Sequence, residues 1–192
     1  LHRFGCEVSD LGIVPDRREA TVAALKTAAD HHDLIVTSGG VSVGEADHMK
    51  TLLSKHGQVL FWKINMKPGR PLAYGKIGQA HYFGLPGNPV AVMVTFYQFV
   101  REALLTLMGQ SQVSALPTFN VVCTEPIKKQ SGRTEFQRGI LFNNQDGSWK
   151  VKPTGNQGSA ILSSMSKANC FIVLDESVGN LDARSEEHTS EL

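Results

Sequence analysis

The sequence predicts a two-part protein: a three-layer α/β domain with a largely parallel sheet, followed by a small all-β domain. Three observations predict it. Strand-like and helix-like segments alternate through the first hundred or so residues, the pattern of βαβ units. At Gly109 the texture changes, and GQSQVSALP reads as a linker by composition. After it come strand candidates with no helices between them.

The elements follow in order. CEVSDLGIV reads as a strand end and loop. Arg17 to Asp30 reads as a helix, because Val22, Leu25, Ala28 and Ala29 recur at helical spacing. Asp16 and Glu19 have capping-box spacing, with Asp in place of the usual Ser or Thr. Leu34 to Thr37 is a short apolar run ending in Ser-Gly-Gly, as a buried parallel strand would. Asp47 to Lys55 reads as a second helix with Met49, Leu52 and Leu53 inward. VLFWKINM is strand-like until MKPGRP breaks it, and LAYGKI and AHYFGL are strands around Gly78. LPGNP then leads into a long apolar helix, Val90 to Met108, with Asn88 as a good N-cap and Pro89 suited to the first helical position. Past the linker, FNVVCTEP, TEFQRGILF, WKVKPT and ANCFIVL are strand candidates, and Asn144 to Gly147 (NQDG) is a hairpin-like turn. The expected division is an α/β domain over 1–109, a linker over 110–115 and a β domain over 116–183.

Composition excludes several classes. A net charge of +1 gives no reason to expect nucleic acid or a membrane surface as partner. Cys6, Cys123 and Cys170 are an odd number with no CxxC pair, which argues against a disulfide framework. No apolar run reaches the roughly 18 residues of a membrane span, and no signal peptide is visible. A cytoplasmic location is the expectation. The tail RSEEHTSEL, Arg184 to Leu192, matches nothing before it and resembles the in-frame translation of a sequencing adapter. It is expected to be non-native and is left out of the fold.

The chemistry-bearing stretches each carry a structural alternative. Ser38-Gly39-Gly40 to Gly44 is a strand, a glycine turn and a helix start, which together make an anion site through outward backbone N–H groups. It is neither a G-x-G-x-x-G nor a P-loop, and a tight turn in a packed sheet is the alternative. Glu45 and Asp47 open the next helix. Favourable charge–dipole placement explains Glu45, while Asp47 stays open between that and holding Mg²⁺. Asp16 is either a helix cap or a rim residue at a strand end. Lys63 and Lys67 lie four apart; if the strand continues, their ammonium groups share one face. With Arg70 they suit an anion pocket better than a polar edge that avoids aggregation. Pro86-Gly87-Asn88-Pro89 is a second strand-to-helix turn on the same rim. Residue type alone leaves Arg138 and Ser159 unassigned. No histidine or cysteine spacing suggests a metal site or covalent catalysis.

In this order, TSGGVSVGEAD, FWKINMKPGRP, GLPGNP, TFYQ, FQRG and GNQGS resemble the C-terminal half of molybdopterin molybdotransferases, the MoeA family that includes the E domain of gephyrin. The resemblance covers roughly Cys6 to Ala183. It implies a molybdopterin-binding-like α/β fold and a barrel-like β domain. It also implies insertion of molybdate into adenylylated molybdopterin, metal-dependent cleavage of the adenylate with release of AMP, and a homodimer. By position it implies Asp16, Asp47, Lys63 and Lys67 as catalytic, with Asp47 also the Mg²⁺ ligand. Ser38, Gly39, Gly40, Ser42 and Gly44 would accept the phosphate end of the pterin. Arg70, Pro86, Gly87, Asn88, Pro89, Arg138 and Ser159 complete the expected substrate contacts. The family's N-terminal half and final strands are missing from the chain, so unpaired strand edges and weak or no turnover are expected. A scaffold of the gephyrin type and a molybdopterin adenylyltransferase are the competing readings. The set of Asp47, Lys63, Lys67 and GLPGNP disfavours the first, and the β region after Leu116 disfavours the second.

Overall fold

A computed structural model of the chain describes residues 1–40, 57–183 and 186–191. The helix expected over Asp47 to Lys55 lies outside the described residues. The helices are α1 (Arg18–His31), α2 (Pro89–Leu107) and α3 (Leu162–Lys167). The strands are β1 (Leu34–Ser38), β2 (Gly57–Lys63), β3 (Met66–Lys67), β4 (Pro71–Ile77) and β5 (Ala80–Leu85), then β6 (Thr118–Cys123), β7 (Thr134–Asn143), β8 (Trp149–Pro153), β9 (Cys170–Leu174) and β10 (Glu186–Glu191).

The first sheet has the order β1-β5-β4-β2 and a helix on each face. Strand alternation builds the two faces. Ile35, Ala73, Ile77, Ala80 and Tyr82 pack against Leu25 and Ala28 of α1. Leu72, Phe83 and Leu85 pack with Val100 of α2, and Phe96 joins them. The sheet is mixed, which corrects the expectation of a largely parallel one. Among the described residues only β1 and β5 of this sheet run parallel; β4 pairs antiparallel with both β5 and β2. The reason is local. Gly78 and Gln79 leave only a two-residue turn between β4 and β5, and a hairpin turn can join only antiparallel strands.

Two helix expectations also change. Asp16 does not cap α1: the N-cap residue is Arg17, with no side-chain cap bond, and Asp16 is exposed. α2 is 19 residues long with a mean hydropathy of 1.4, long and apolar enough by length and composition to cross a membrane. The sequence reading found no such run because Arg101 and Glu102 interrupt it. Its Val90, Ala91, Val94, Val100 and Leu104 are buried, so α2 is a core helix. Asn88 caps it as expected, accepting the Val90 N–H at 3.2 Å, with Pro89 in the first position.

The second sheet has the order β3-β7-β8-β6-β10-β9, and β9 also pairs with β7. It too is mixed: β6 runs parallel to β8, and β3 parallel to β7. Its core is Val121, Cys123, Ile127, Leu141, Val151, Cys170, Ile172 and Leu174. Helix α3 qualifies the all-β expectation. The tail, left out of the expected fold, also forms a strand. Glu186–Glu191 pairs antiparallel with both β6 and β9, so the edges expected to be open are bridged. Backbone N–H and C=O groups on two facing edges take an extended segment of almost any sequence.

One crossing stitches the sheets together. The strand expected to run through VLFWKINM ends at Lys63, and Met66–Lys67 joins the second sheet beside Thr134 and Glu135. Asn65 makes the crossing. Its Nδ2 donates to the Gly132 carbonyl at 3.1 Å and to Glu176 Oε2 at 2.9 Å.

Candidate functional site

Two turns meet at the ends of β1 and β5. These strands pair in parallel, so Ser38 and Leu85 finish side by side. The Gly39 N–H donates to the Leu85 carbonyl at 3.1 Å, and Ser38 Oγ donates to the Pro86 carbonyl at 3.2 Å. Gly39 and Gly40 have φ of 86° and 72°, which only glycine adopts readily. Gly87 packs close by: a Cβ on it would sit 3.6 Å from Gly39 Cα. Asn88, while capping α2, donates from Nδ2 to Ser159 Oγ at 3.2 Å and so ties the turn to the second region.

The Lys67-Pro68-Gly69-Arg70 turn forms the adjoining wall. Gly69 has φ 96°, and a Cβ there would lie 2.5 Å from Thr95 Cγ2 on α2. The turn can lie this close to α2 only with glycine at that position. From it, Lys67 reaches across the seam: its Nζ is 3.0 Å from Glu135 Oε1 on β7. The carboxylate side chain is 6% exposed and the lysine 50%. Gln137 Nε2 donates to the same Glu135 oxygen at 3.2 Å and to the Lys128 carbonyl at 2.9 Å.

Arg138 is the most enclosed charge among the described residues, 1% exposed. Its Nε donates to Ser164 Oγ at 3.0 Å and its Nη2 to the Gly158 carbonyl at 3.1 Å. Its backbone N–H donates to Gln157 Oε1 at 2.8 Å, and Gln157 Nε2 donates back to the Arg138 carbonyl at 3.1 Å. Burial pushes the guanidinium pKa down, and the Glu135 carboxylate opposes that shift. A guanidinium keeps its proton regardless, so Arg138 is a fixed positive charge with little water around it.

These walls enclose a cavity of about 810 Å³. Of the residues expected at a site, it gathers Gly39, Lys67, Arg70, Pro86, Gly87, Asn88, Arg138 and Ser159. Ser38 and Pro89 support the turns from behind. Gly40 follows Gly39 in the turn without lining the cavity, and Asp16 precedes α1 in solvent. Lys63 is exposed at the end of β2, facing Pro71 in the first sheet. The shared strand face expected for Lys63 and Lys67 therefore does not exist, because the chain changes sheets between them. Ser42, Gly44 and Asp47 lie outside the described residues.

The cavity also holds residues the sequence reading passed over: Lys128, Arg133, Glu135 and Gln157. One signal for Glu135 was present. TEFQRG places a carboxylate, an amide and a guanidinium within four residues of an otherwise apolar strand, and such groups are buried only when partnered.

The described residues do not by themselves fit a magnesium site. Among them no group of three or more His, Cys, Asp or Glu comes together, and Glu135, the one carboxylate in the cavity wall, is already paired with Lys67.

A strand-end cavity in an α/β sheet, rimmed by glycine turns and rich in cations, has the features of an anion site in the open-sheet class. Comparison with known proteins makes this specific. Residues 1–106 match the family described as a probable molybdopterin binding domain, and residues 120–183 match the MoeA C-terminal region, domain IV. The chain is 48% identical to a molybdopterin molybdenumtransferase of Haemophilus influenzae over 183 residues, covering 95% of this chain and 45% of that protein. It is 37% identical to a gephyrin of Dictyostelium discoideum, covering 91% of this chain and 27% of that one. The chain thus spans less than half the length of either relative. Among solved structures, a molybdopterin biosynthesis MoeA protein from Pyrococcus horikoshii superposes with a TM-score of 0.79 at 25% identity, covering 99% of this chain and 45% of that one. The chain belongs to the MoeA and gephyrin E-domain family, with its molybdopterin-binding domain followed by domain IV.

Proposed function

We propose that this chain supplies the substrate cavity of a molybdopterin molybdotransferase, which inserts molybdate into adenylylated molybdopterin and releases AMP. The observation that carries the reading is the composition of the cavity wall. Lys67, Arg70, Lys128, Arg133 and Arg138 face one carboxylate, Glu135, although the whole chain has a net charge of only +1. The cavity is far larger than one tetrahedral oxyanion needs and lies within the roughly 300–1,000 Å³ typical of organic-ligand sites. Molybdate and the pyrophosphate link are multiply charged. In a partly dry cleft, donors such as Lys67 and Arg138 hold such groups strongly. Ser159 Oγ adds a neutral donor at the wall. The bonding between molybdenum and the dithiolene belongs to the substrates; the protein binds and orients them.

The remaining assignments belong to the same proposal. The glycine turn from Ser38 to Gly44 takes the phosphate end, Asp47 holds Mg²⁺, and Asp16 and Lys63 act from the rim. The domain limits 1–109 and 116–183, a homodimer and a cytoplasmic location also form part of this reading. So does a barrel-like second region, supported by the pairing of β9 with both β10 and β7. The test is AMP release from adenylylated molybdopterin by a full-length family member carrying these residues, since weak or no turnover is expected of this chain alone. It should require molybdate and fall at least tenfold in Lys67→Ala. Release that ignores molybdate, or is unchanged in the variant, would overturn the assignment.

A further inference from the structure

Glu135 stands out in a cavity built for anions, because it is a carboxylate that repels them. Its position suggests why it is there. β3 and β7 pair in parallel with Lys67 directly opposite Glu135, so neighbouring side chains of the two strands lie on one face of the sheet. The ion pair at 3.0 Å therefore joins the family's molybdopterin-binding domain to its domain IV. Glu135 is itself fixed: buried, on a central strand, and held by Gln137 at 3.2 Å. Lys67 is half-exposed at the end of a two-residue strand. Left alone, a lysine there would sample many rotamers and lose that freedom whenever it gripped a ligand.

We infer that Glu135 is a positioning residue for Lys67. It anchors the ammonium at the cavity wall before any anion arrives, and one of the three N–H donors is enough to do so. The other two remain free to face an oxyanion. The repulsion from a single carboxylate is outweighed by the surrounding cations. This inference rests on reading the cavity as an oxyanion site.

The test is a double-mutant cycle between Glu135→Gln and Lys67→Ala, read by calorimetric titration of inorganic molybdate. Glutamine keeps the shape and an acceptor oxygen but replaces a charge-assisted bond with a neutral one, roughly half as strong. Positioning predicts that Glu135→Gln weakens molybdate five- to tenfold when Lys67 is present and has no effect in the Lys67→Ala background. Equal weakening in both backgrounds would mean a merely structural role, and tighter binding in both would mean that Glu135 only repels the ligand. Either result overturns the inference. A second readout needs no ligand. NMR of ¹³C-labelled lysine should show a restricted Lys67 side chain in the parent protein and a mobile one in Glu135→Gln. Unchanged mobility would overturn the positioning role even if molybdate failed to bind. A mobility change without molybdate binding would instead count against the oxyanion reading and leave the positioning intact.

Discussion

Arg138 shows what a buried charge demands of its surroundings. Every group that holds it comes from the second region: Ser164 on α3, and Gln157 and Gly158 in the loop before it. Gln157 binds the backbone of Arg138, while the bonds to Ser164 and Gly158 need the planar fork of a guanidinium, which a lysine cannot reproduce. Arg138→Lys should therefore cost about 2–3 kcal/mol in urea unfolding, since hydrogen bonds to charged groups contribute roughly 1.5–3 kcal/mol each. A loss below about 0.5 kcal/mol would show that the network contributes little. Tyr82 gives a pH test. Burial raises its pKa from 10.0 to about 12, against an opposing hydrogen bond with Thr37 at 2.9 Å. Below pH 10 the phenol is neutral in both folded and unfolded chains. Between pH 10 and 12 it ionises first in the unfolded chain, so stability is lost as pH rises through that window. The loss is of the order of 2–3 kcal/mol at one pKa unit per 1.4 kcal/mol. Unfolding at pH 9 and pH 11.5 should show this decline, and Tyr82→Phe should flatten it. An equal decline in the variant would assign it to other groups.

The turns that line the cavity are among the most readable elements in the chain. Asn-Pro at the start of α2 carries its own cap and first-turn residue, so LPGNP folds as the sequence says. MKPGRP is expected to break its strand, but that strand ends earlier, at Lys63, and Met66–Lys67 pairs in the second sheet. Gly69 is the element-scale test, because its φ of 96° and its 2.5 Å clearance from Thr95 both exclude a side chain. Gly69→Ala should cost about 3 kcal/mol through backbone strain and overpacking together. It should also weaken anion binding by shifting Lys67 and Arg70. A stable variant with intact binding would mean that the turn does not set the wall. Other elements were not legible, for physical reasons. The break between Lys63 and Met66 depends on Asn65 finding Gly132 and Glu176, partners 67 and 111 residues away. Periodicity within VLFWKINM contains nothing about them. The mixed sheet follows from which strands the short turn joins, whereas alternation of strand and helix alone suggests parallel pairing. Glu135 was visible as a residue but not as a pair, because its partner lies across a sheet boundary.

At the scale of the molecule, the cavity is a product of the seam. Lys67, Asn88 and the glycine turns come from the first region; Glu135, Arg138 and Ser159 come from the second. The contacts across it are specific: the β3–β7 pairing, the Lys67–Glu135 ion pair, and the Asn88–Ser159 and Asn65–Glu176 hydrogen bonds. A family resemblance read from six motifs in order pointed to both regions. Only their packing shows which motif residues share one cavity and which, such as Lys63, face elsewhere. The most direct test of this composite site is calorimetric titration of adenylylated molybdopterin into the chain, run beside Lys67→Ala and Arg138→Lys. The account predicts saturable binding that each substitution weakens at least tenfold: Lys67→Ala removes a cation from one side of the seam, and Arg138→Lys keeps the charge but loses the fixed planar guanidinium on the other. Binding by the parent chain that neither substitution weakens would contradict it.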